Sequence, residues 1–481
     1  MHPTDRRPVV VVGAGLAGMS AALRLAERGV AVTLLETRKR LGGRASSFVD
    51  PETDRVLDQC QHAVMPACTY ILDFYERLGL RDVIQWDRTI HFSDGRGGVD
   101  RMQAGVLPAP FHLAGSFLRM KGLGWRDKLA VAWGMQRMLW MGKAGRRTYR
   151  GRSIGEVLDG WGQPASARRR FWDVVIVSAC NDEPERVDAE LAIKVFQEGF
   201  LSSGASVGVG VPRVPLVALY EPLERALEAA GGCVRLGASV AEVCYGEGRV
   251  RGVRLSDGEI ISAAEVVVTV PPDRLAKMTG GALAGADERL RDLGDWRFSP
   301  IVAVHLFFEM GASGVMKTPH LVTADRPIDW IFNKGETGLP EDVAVREAGV
   351  RVQHVHALKS GAHDLVKRSA AEILDLVEGE VRAVLPEVAG RRLLHGRVIK
   401  EKVATFCASP AMAGRRPGVG GGVAGLYLAG DWADTGWPAT MEGAVRSGYE
   451  AAEVIMQRRG GPGLEKPGEL RAEGLSRWLL G

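Results

Sequence analysis

Six residues near the N-terminus restrict the fold more than any others. Gly13, Ala14, Gly15, Leu16, Ala17 and Gly18 form a G-x-G-x-x-G run between a β-branched stretch, Val9-Val-Val-Val12, and a helix-like stretch over residues 19–28. Each glycine answers a different need, namely a tight turn, close approach of backbone to a pyrophosphate, and close packing of helix on strand. A second apolar strand follows, Val30-Ala-Val-Thr-Leu-Leu35, and Glu36 stands at its end, where a carboxylate can accept hydrogen bonds from ribose hydroxyls. This is a βαβ crossover built to hold a dinucleotide, with the phosphates at the helix start. The glycines also break the apolar stretch too early for a membrane span or a signal peptide.

Two further stretches read as parts of the same α/β unit. One has a helix over residues 219–230, a strand Cys233-Val-Arg-Leu236, a hairpin-like stretch over 240–255 and a strand Val266-Val-Val-Thr-Val270. The other has a strand Gly425-Leu-Tyr-Leu-Ala429 and a helix over 441–458. Between them, residues 301–308, 329–333 and 350–356 resemble strands of another sheet, and 365–385 reads as one long amphipathic helix. The expected fold class is α/β: a Rossmann-like dinucleotide domain from residues 1–95, 215–275 and 415–460, with a discontinuous α+β substrate domain from 96–214 and 276–414. Residues 461–481 read as a tail. In a chain of 481 residues, a net charge of +4 argues against a nucleic-acid binder. The six cysteines include no C-x-x-C pair, which points to free thiols in a reducing cytosol and to no metal site.

The residues after Glu36 select the nucleotide. Leu41-Gly42-Gly43-Arg44 puts a flexible turn and a cation beside the expected pyrophosphate, and this E-x7-R arrangement resembles the amine-oxidase and phytoene-desaturase superfamily of FAD proteins. Leu428-Ala-Gly430-Asp431 sets a carboxylate just after a strand, as that superfamily does to hold the ribityl chain. Met441-Glu-Gly-Ala444 opens a helix whose start would stabilise negative charge on the pyrimidine edge of reduced flavin. The resemblance implies FAD as cofactor, with Thr37, Val240 and Thr440 joining its contacts.

Three segments narrow the resemblance to the hydroxysqualene dehydroxylases. These are Asp58-Gln-Cys-Gln-His62, residues 174–181 followed by Glu183-Pro184, and Gly430 through Gly448. The similarity runs from Val9 to about Met456, although Gln59-Cys60 replaces the Asn-Gly or Asn-Cys common in the family. It implies reduction of hydroxysqualene to squalene in hopanoid synthesis, a hydrophobic isoprenoid substrate, and squalene-synthase-like partner enzymes. An oxidative phytoene- or squalene-type desaturase, a flavin amine oxidase and a non-catalytic carrier of prenyl lipids are the alternatives on the same fold. Loss of the hydroxyl needs an acid, for which His62, Asp434 and Glu442 are the candidates. No second G-x-G-x-x-G follows a strand, so the electron donor stays unspecified.

Residues 105–145 crowd Trp125, Leu129, Trp133 and Trp140 among Arg119, Lys121, Arg126, Lys128 and Arg137. Apolar residues on all sides of a helix over 129–141 fit deep burial or contact with lipid. The expectation is a peripheral protein on the inner face of the cell membrane; a core helix with a solvated basic face is the alternative.

Overall fold

The computed structural model describes residues 7–95, 97–311, 314–337 and 351–480. Its first sheet has five parallel strands in the order Leu426–Leu428, Val266–Val268, Val9–Val12, Val32–Glu36, Cys233–Leu236. Three separated stretches of chain thus meet around Val9–Val12, whose four valines are all buried. Strands covered on both faces read as continuous β-branched runs, as Val9–Val12 and Val266–Val268 do. The helix Leu16–Ala26 lies between the sheet and the helix Met441–Arg458. The two helices touch at Gly448, where a Cβ would sit 2.1 Å from Ser20 Oγ and 2.3 Å from Ala17 O.

The second sheet has seven strands, ordered Leu393–Phe406, Phe298–Glu309, Val352–Lys359, Trp330–Thr337, His320–Val322, Thr89–Ser93, Val99–Gln103. Alternate residues face opposite ways. Val302, Val304, Leu306 and Phe308 pack under the helix Ala370–Val384; on the opposite face Ile301 and Ala303 join the core under the helices of residues 125–201, His305 bonds Asp58 O and Phe307 packs on Leu57. Four of these strands differ from the sequence reading, and the short His320–Val322 is one that it does not contain. Thr89–Ser93 lies in the stretch assigned above to the first nucleotide piece, yet it pairs in this sheet. Val99–Gln103 and Leu393–Phe406 are strands that the sequence reading does not contain; the latter carries Gly396 and three lysine or glutamate side chains that mask its alternation. The expected helix over 365–385 is also shorter. Ser369 accepts from Glu372 N (3.2 Å) while the Glu372 carboxylate accepts from Ser369 N (2.7 Å), so the helix starts at Ala370. Val350 lies outside the described residues.

The helix Trp125–Gly145 does form, but it is not enveloped by protein. Val131, Met138 and Leu139 are buried, whereas Trp125, Leu129, Trp133 and Trp140 are exposed. Residues 461–480, read as a tail, fold back on the molecule. Leu464 and Leu480 are buried, Leu475 N donates to Ala109 O (3.0 Å), and Ser476 Oγ donates to Leu201 O (2.5 Å).

Candidate active site

The glycine turn follows from contact distances. A Cβ on Gly18 would stand 1.9 Å from Gly13 O, so only hydrogen fits there, whereas the space around Gly15 is open to at least 4 Å. Phosphate could therefore reach the helix start at Leu16 without meeting a side chain. The Glu36 carboxylate accepts from Ala14 N (2.8 Å) and Arg38 N (2.8 Å), tying the glycine turn to the second strand. Thr37 is exposed beside Ser239, and Val240 is buried among Val12 and Leu35. Gly42 N donates to Ala14 O (2.9 Å), docking the Gly42-Gly43 turn onto the first.

Arg44 donates to Ala404 O (2.8 Å) and to Asp431 Oδ1 (2.6 Å), joining residues far apart in sequence. Burial would lower the Arg44 pKa, but the Asp431 carboxylate outweighs it and the net direction is upward, so the cation is secure. Gly430 N donates to Ser447 Oγ (2.8 Å), and Thr440 caps the helix at Met441 by accepting from Gly443 N (3.2 Å). These groups share one cavity of about 370 Å³: Gly15, Leu16, Ala17, Gly42 and Arg44 from one stretch, and Gly430, Asp431, Thr440 and Met441 from another. Two helix starts, a cation and a carboxylate around one cleft suit a dinucleotide with an anionic middle and a redox ring.

The floor of the cavity is apolar. Ile90, Phe92, Val322, Trp330, Phe332 and Leu358 form it from the seven-stranded sheet. Of the three candidate acids, the structure brings only His62 to this wall. Its Nδ1 donates to Cys60 O (3.0 Å), which leaves Nε2 as the acceptor, and burial holds its pKa below the usual value. Cys60 also lines the cavity, but burial pushes its thiol up to about 12, so it is no nucleophile at neutral pH.

Glu442 and Asp434 do not reach the cavity. The buried Glu442 carboxylate accepts from Tyr70 N (3.1 Å) and Ile71 N (2.9 Å) and pairs with Arg446 (2.7 Å), capping the helix Thr69–Arg77. Burial raises its pKa while Arg446 opposes the rise. Alanine at Glu442 should cost about 3 kcal/mol, because two N–H groups and a buried guanidinium lose their acceptor. Thermal melts test this; an unchanged melting temperature would refute the structural role. Asp434 is exposed, accepts from Gly436 N (3.2 Å) to close a turn, and borders a separate polar cavity with Arg150 and Arg416.

Sequence reasoning missed Glu401, Thr405 and Asn181, all in the cavity wall. Glu401 and Thr405 lie on the unexpected strand, and cross-strand pairing with Ile301 turns Glu401 inward. Asn181, in a left-handed conformation, donates to Thr405 Oγ1 (2.8 Å) and accepts from Gly361 N (2.9 Å). The resemblance over residues 174–181 is the one signal that points towards Asn181, and it assigns that side chain no role.

The chain is similar to hydroxysqualene dehydroxylases from Rhodopseudomonas palustris (26% identity, 94% of this chain and 98% of the relative) and Sinorhizobium fredii (27%, 93% and 98%). It is also similar to a 15-cis-phytoene desaturase from Synechococcus elongatus (23%, 94% and 96%). Among solved structures, a redesigned triple mutant of putrescine oxidase superimposes with a TM-score of 0.71 at 17% identity, covering 94% of this chain and 99% of that one. An oxidoreductase from Methanosarcina mazei gives 0.68 at 18%, covering 94% and 100%. The family described as flavin-containing amine oxidoreductases matches residues 16–456, nearly the whole chain and all three stretches that meet at the cavity. The protein belongs to that family and is an oxidoreductase with FAD as its cofactor.

Proposed function

We propose that the protein reduces hydroxysqualene to squalene with loss of water. The observation that carries this reading is the apolar floor of the cavity, which extends from the residues proposed to hold flavin across the seven-stranded sheet, where a hydrocarbon chain could lie. The named relatives support the same substrate class, dehydroxylases and desaturases both acting on long isoprenoids. The reaction breaks a C–O bond, forms a C–H bond and releases water, taking up an electron pair and two protons overall. Reduced FAD, when bound, supplies the electron pair. The floor formed by Trp330, Phe332 and Leu358 orients the chain and excludes water, and His62 Nε2, an acceptor in the neutral ring, gives a proton to the departing oxygen after taking one up. Its lowered pKa makes it a ready donor once charged.

The test uses anaerobic, photoreduced protein mixed with hydroxysqualene. Flavin absorbance should return as squalene forms in equal amount, and His62→Gln should slow that single turnover by about 100-fold. A flavin that stays reduced, together with oxidised protein that bleaches on squalene or phytoene, would overturn the reading in favour of an oxidative desaturase.

An insoluble substrate must come from a bilayer, and we place the docking face on the exposed side of the helix Trp125–Gly145. Trp125, Leu129, Trp133 and Trp140 fall on one stripe of that helix, with the exposed Leu118 and Trp478 as further apolar residues. Arg119, Lys121, Arg126 and Lys128 give the region a positive charge suited to anionic lipid. No helix among the described residues is long and apolar enough to cross a membrane. The protein should sediment with phosphatidylglycerol liposomes at low salt and release as salt rises; no binding at low salt would refute a membrane face.

A further inference from the structure

The cavity wall holds one charged side chain to which the chemistry above gives no task. Of the two carboxylates that line the cavity, Asp431 is paired with Arg44 at 2.6 Å, whereas Glu401 has no ion-pair partner among the described residues. It accepts from Val403 N at 3.4 Å, a weak bond within its own strand. A half-buried carboxylate beside an apolar floor is costly unless a positive group comes to meet it.

The backbone explains how Glu401 comes to face the cavity. Ser299 stands opposite Thr405 and Ile301 opposite Glu401, so Pro300 alone is set against Lys402, Val403 and Ala404. Such a bulge bends the strand and re-aims side chains, and proline, with no N–H to offer the facing strand, suits the break in the ladder. Regular alternation would turn Ala404 away from the face that Glu401 and Thr405 share; here all three line the cavity. The bulge is pinned on both sides, for Ala404 O accepts from Arg44 (2.8 Å) and Thr405 Oγ1 accepts from Asn181 Nδ2 (2.8 Å). Two residues along the strand from Glu401, Ile399 pairs with Ala303 in the row that also carries Leu358 and Trp330 of the floor. Glu401 therefore stands between the Arg44–Asp431 pair and the place proposed for the hydrocarbon chain. Its charge adds to the effects of burial and of Asp58 that push the Cys60 thiol up, which sets it within electrostatic reach of the wall that carries His62.

We infer that Glu401 stabilises the positive charge that develops on the isoprenoid carbon as its oxygen departs. The inference rests on the reduction proposed above. Protonation of the hydroxyl and loss of water break the C–O bond and leave a cationic carbon, which takes hydride from reduced FAD to form the C–H bond. Between those two events the charge lies over Trp330, Phe332 and Leu358, which offer no counter-ion. A fixed carboxylate offers one without forming a bond, and its effect is greatest where water is excluded.

The test compares two ligands on oxidised holoprotein: squalene, and a squalene analogue with a protonated tertiary amine in place of one chain carbon. Binding is read from the change in flavin absorbance. Wild-type protein should bind the amine about 100-fold more tightly than squalene. Glu401→Gln keeps size and shape, so squalene affinity and flavin content should stay while that preference disappears. Single-turnover reoxidation of the photoreduced variant by hydroxysqualene should also slow by about 100-fold. Equal affinity for both ligands in wild-type protein, or an undiminished preference in Glu401→Gln, would overturn the inference. If Glu401→Gln purifies without flavin, Glu401→Asp, which withdraws the charge without removing it, is read instead. Its preference should fall about fivefold, and an unchanged preference would overturn the inference just the same. Failure of hydroxysqualene to reoxidise wild-type flavin, with the amine preference intact, would instead sink the reduction itself.

Discussion

Alanine at Gly18 should yield protein that leaves purification colourless. The added methyl would lie 1.9 Å from Gly13 O and 2.9 Å from Thr269 Oγ1, both held in place: Gly13 N donates to Leu35 O (2.8 Å), and Thr269 Oγ1 donates to Val12 O and Gly13 O (2.9 Å each). Relief requires the turn to move away from the helix start, which separates the N–H groups that would face phosphate. The expected loss in FAD affinity is about 100-fold, or about 2.7 kcal/mol. Gly15→Ala differs in kind. No protein atom lies within 4 Å of its Cβ and its φ of −76° suits alanine, so the apoprotein should fold normally and lose affinity only because the methyl occupies the ligand's path. Flavin content per chain and titration of apoprotein measure both; a fully yellow Gly18→Ala protein would refute the assignment of the turn.

Acidification should unfold the protein well before pH 4. Burial lowers the pKa of His305 and of His320 from 6.5 to about 4. Between those values the unfolded chain binds protons that the folded chain refuses. Stability from these groups is therefore fully present above pH 6.5 and is lost as pH falls towards 4. Each contributes about 3 kcal/mol, a large share of an ordinary protein's total. Asp173, raised to about 6 by burial, works in the opposite direction and offsets part of the loss. Urea midpoints from pH 7.5 to 4.5 give the slope, which His320→Phe should flatten; an unchanged slope would show that burial of His320 is not its cause.

The cofactor half of the site was legible because each of its signals is local. The Gly13 to Gly18 turn, Glu36, Arg44, Asp431 and the helix start at Met441 are each recognisable within a few residues of chain, and their flanking strands are short apolar runs. The substrate half was not. Glu401 faces the cavity only because its strand pairs with Phe298–Glu309, a partner about 100 residues away that no local pattern specifies. Glu442 and Asp434 sit in the right segment for catalysis, but rotation about the helix sends Glu442 to the backbone of Tyr70 and Ile71, and a turn ties up Asp434. The exposed tryptophans of Trp125–Gly145 were visible as an excess of apolar residues; which of them meet solvent depends on the helices beneath.

The order of strands in the parallel sheet bears on how the molecule is made. Val9–Val12 leaves the ribosome before its partners: its neighbour Val266–Val268 arrives more than 250 residues later, and the edge strand Leu426–Leu428 about 160 residues after that. At ordinary elongation rates of about 5–20 residues per second, the nascent N-terminal unit waits many seconds with one edge unpaired. Until the stretch with Asp431 and the helix Met441–Arg458 has been made, a growing chain has only one end of the cavity, so tight loading of FAD waits for that stretch. Expression hosts short of chaperone capacity or of free FAD should therefore accumulate aggregate in preference to soluble apoprotein.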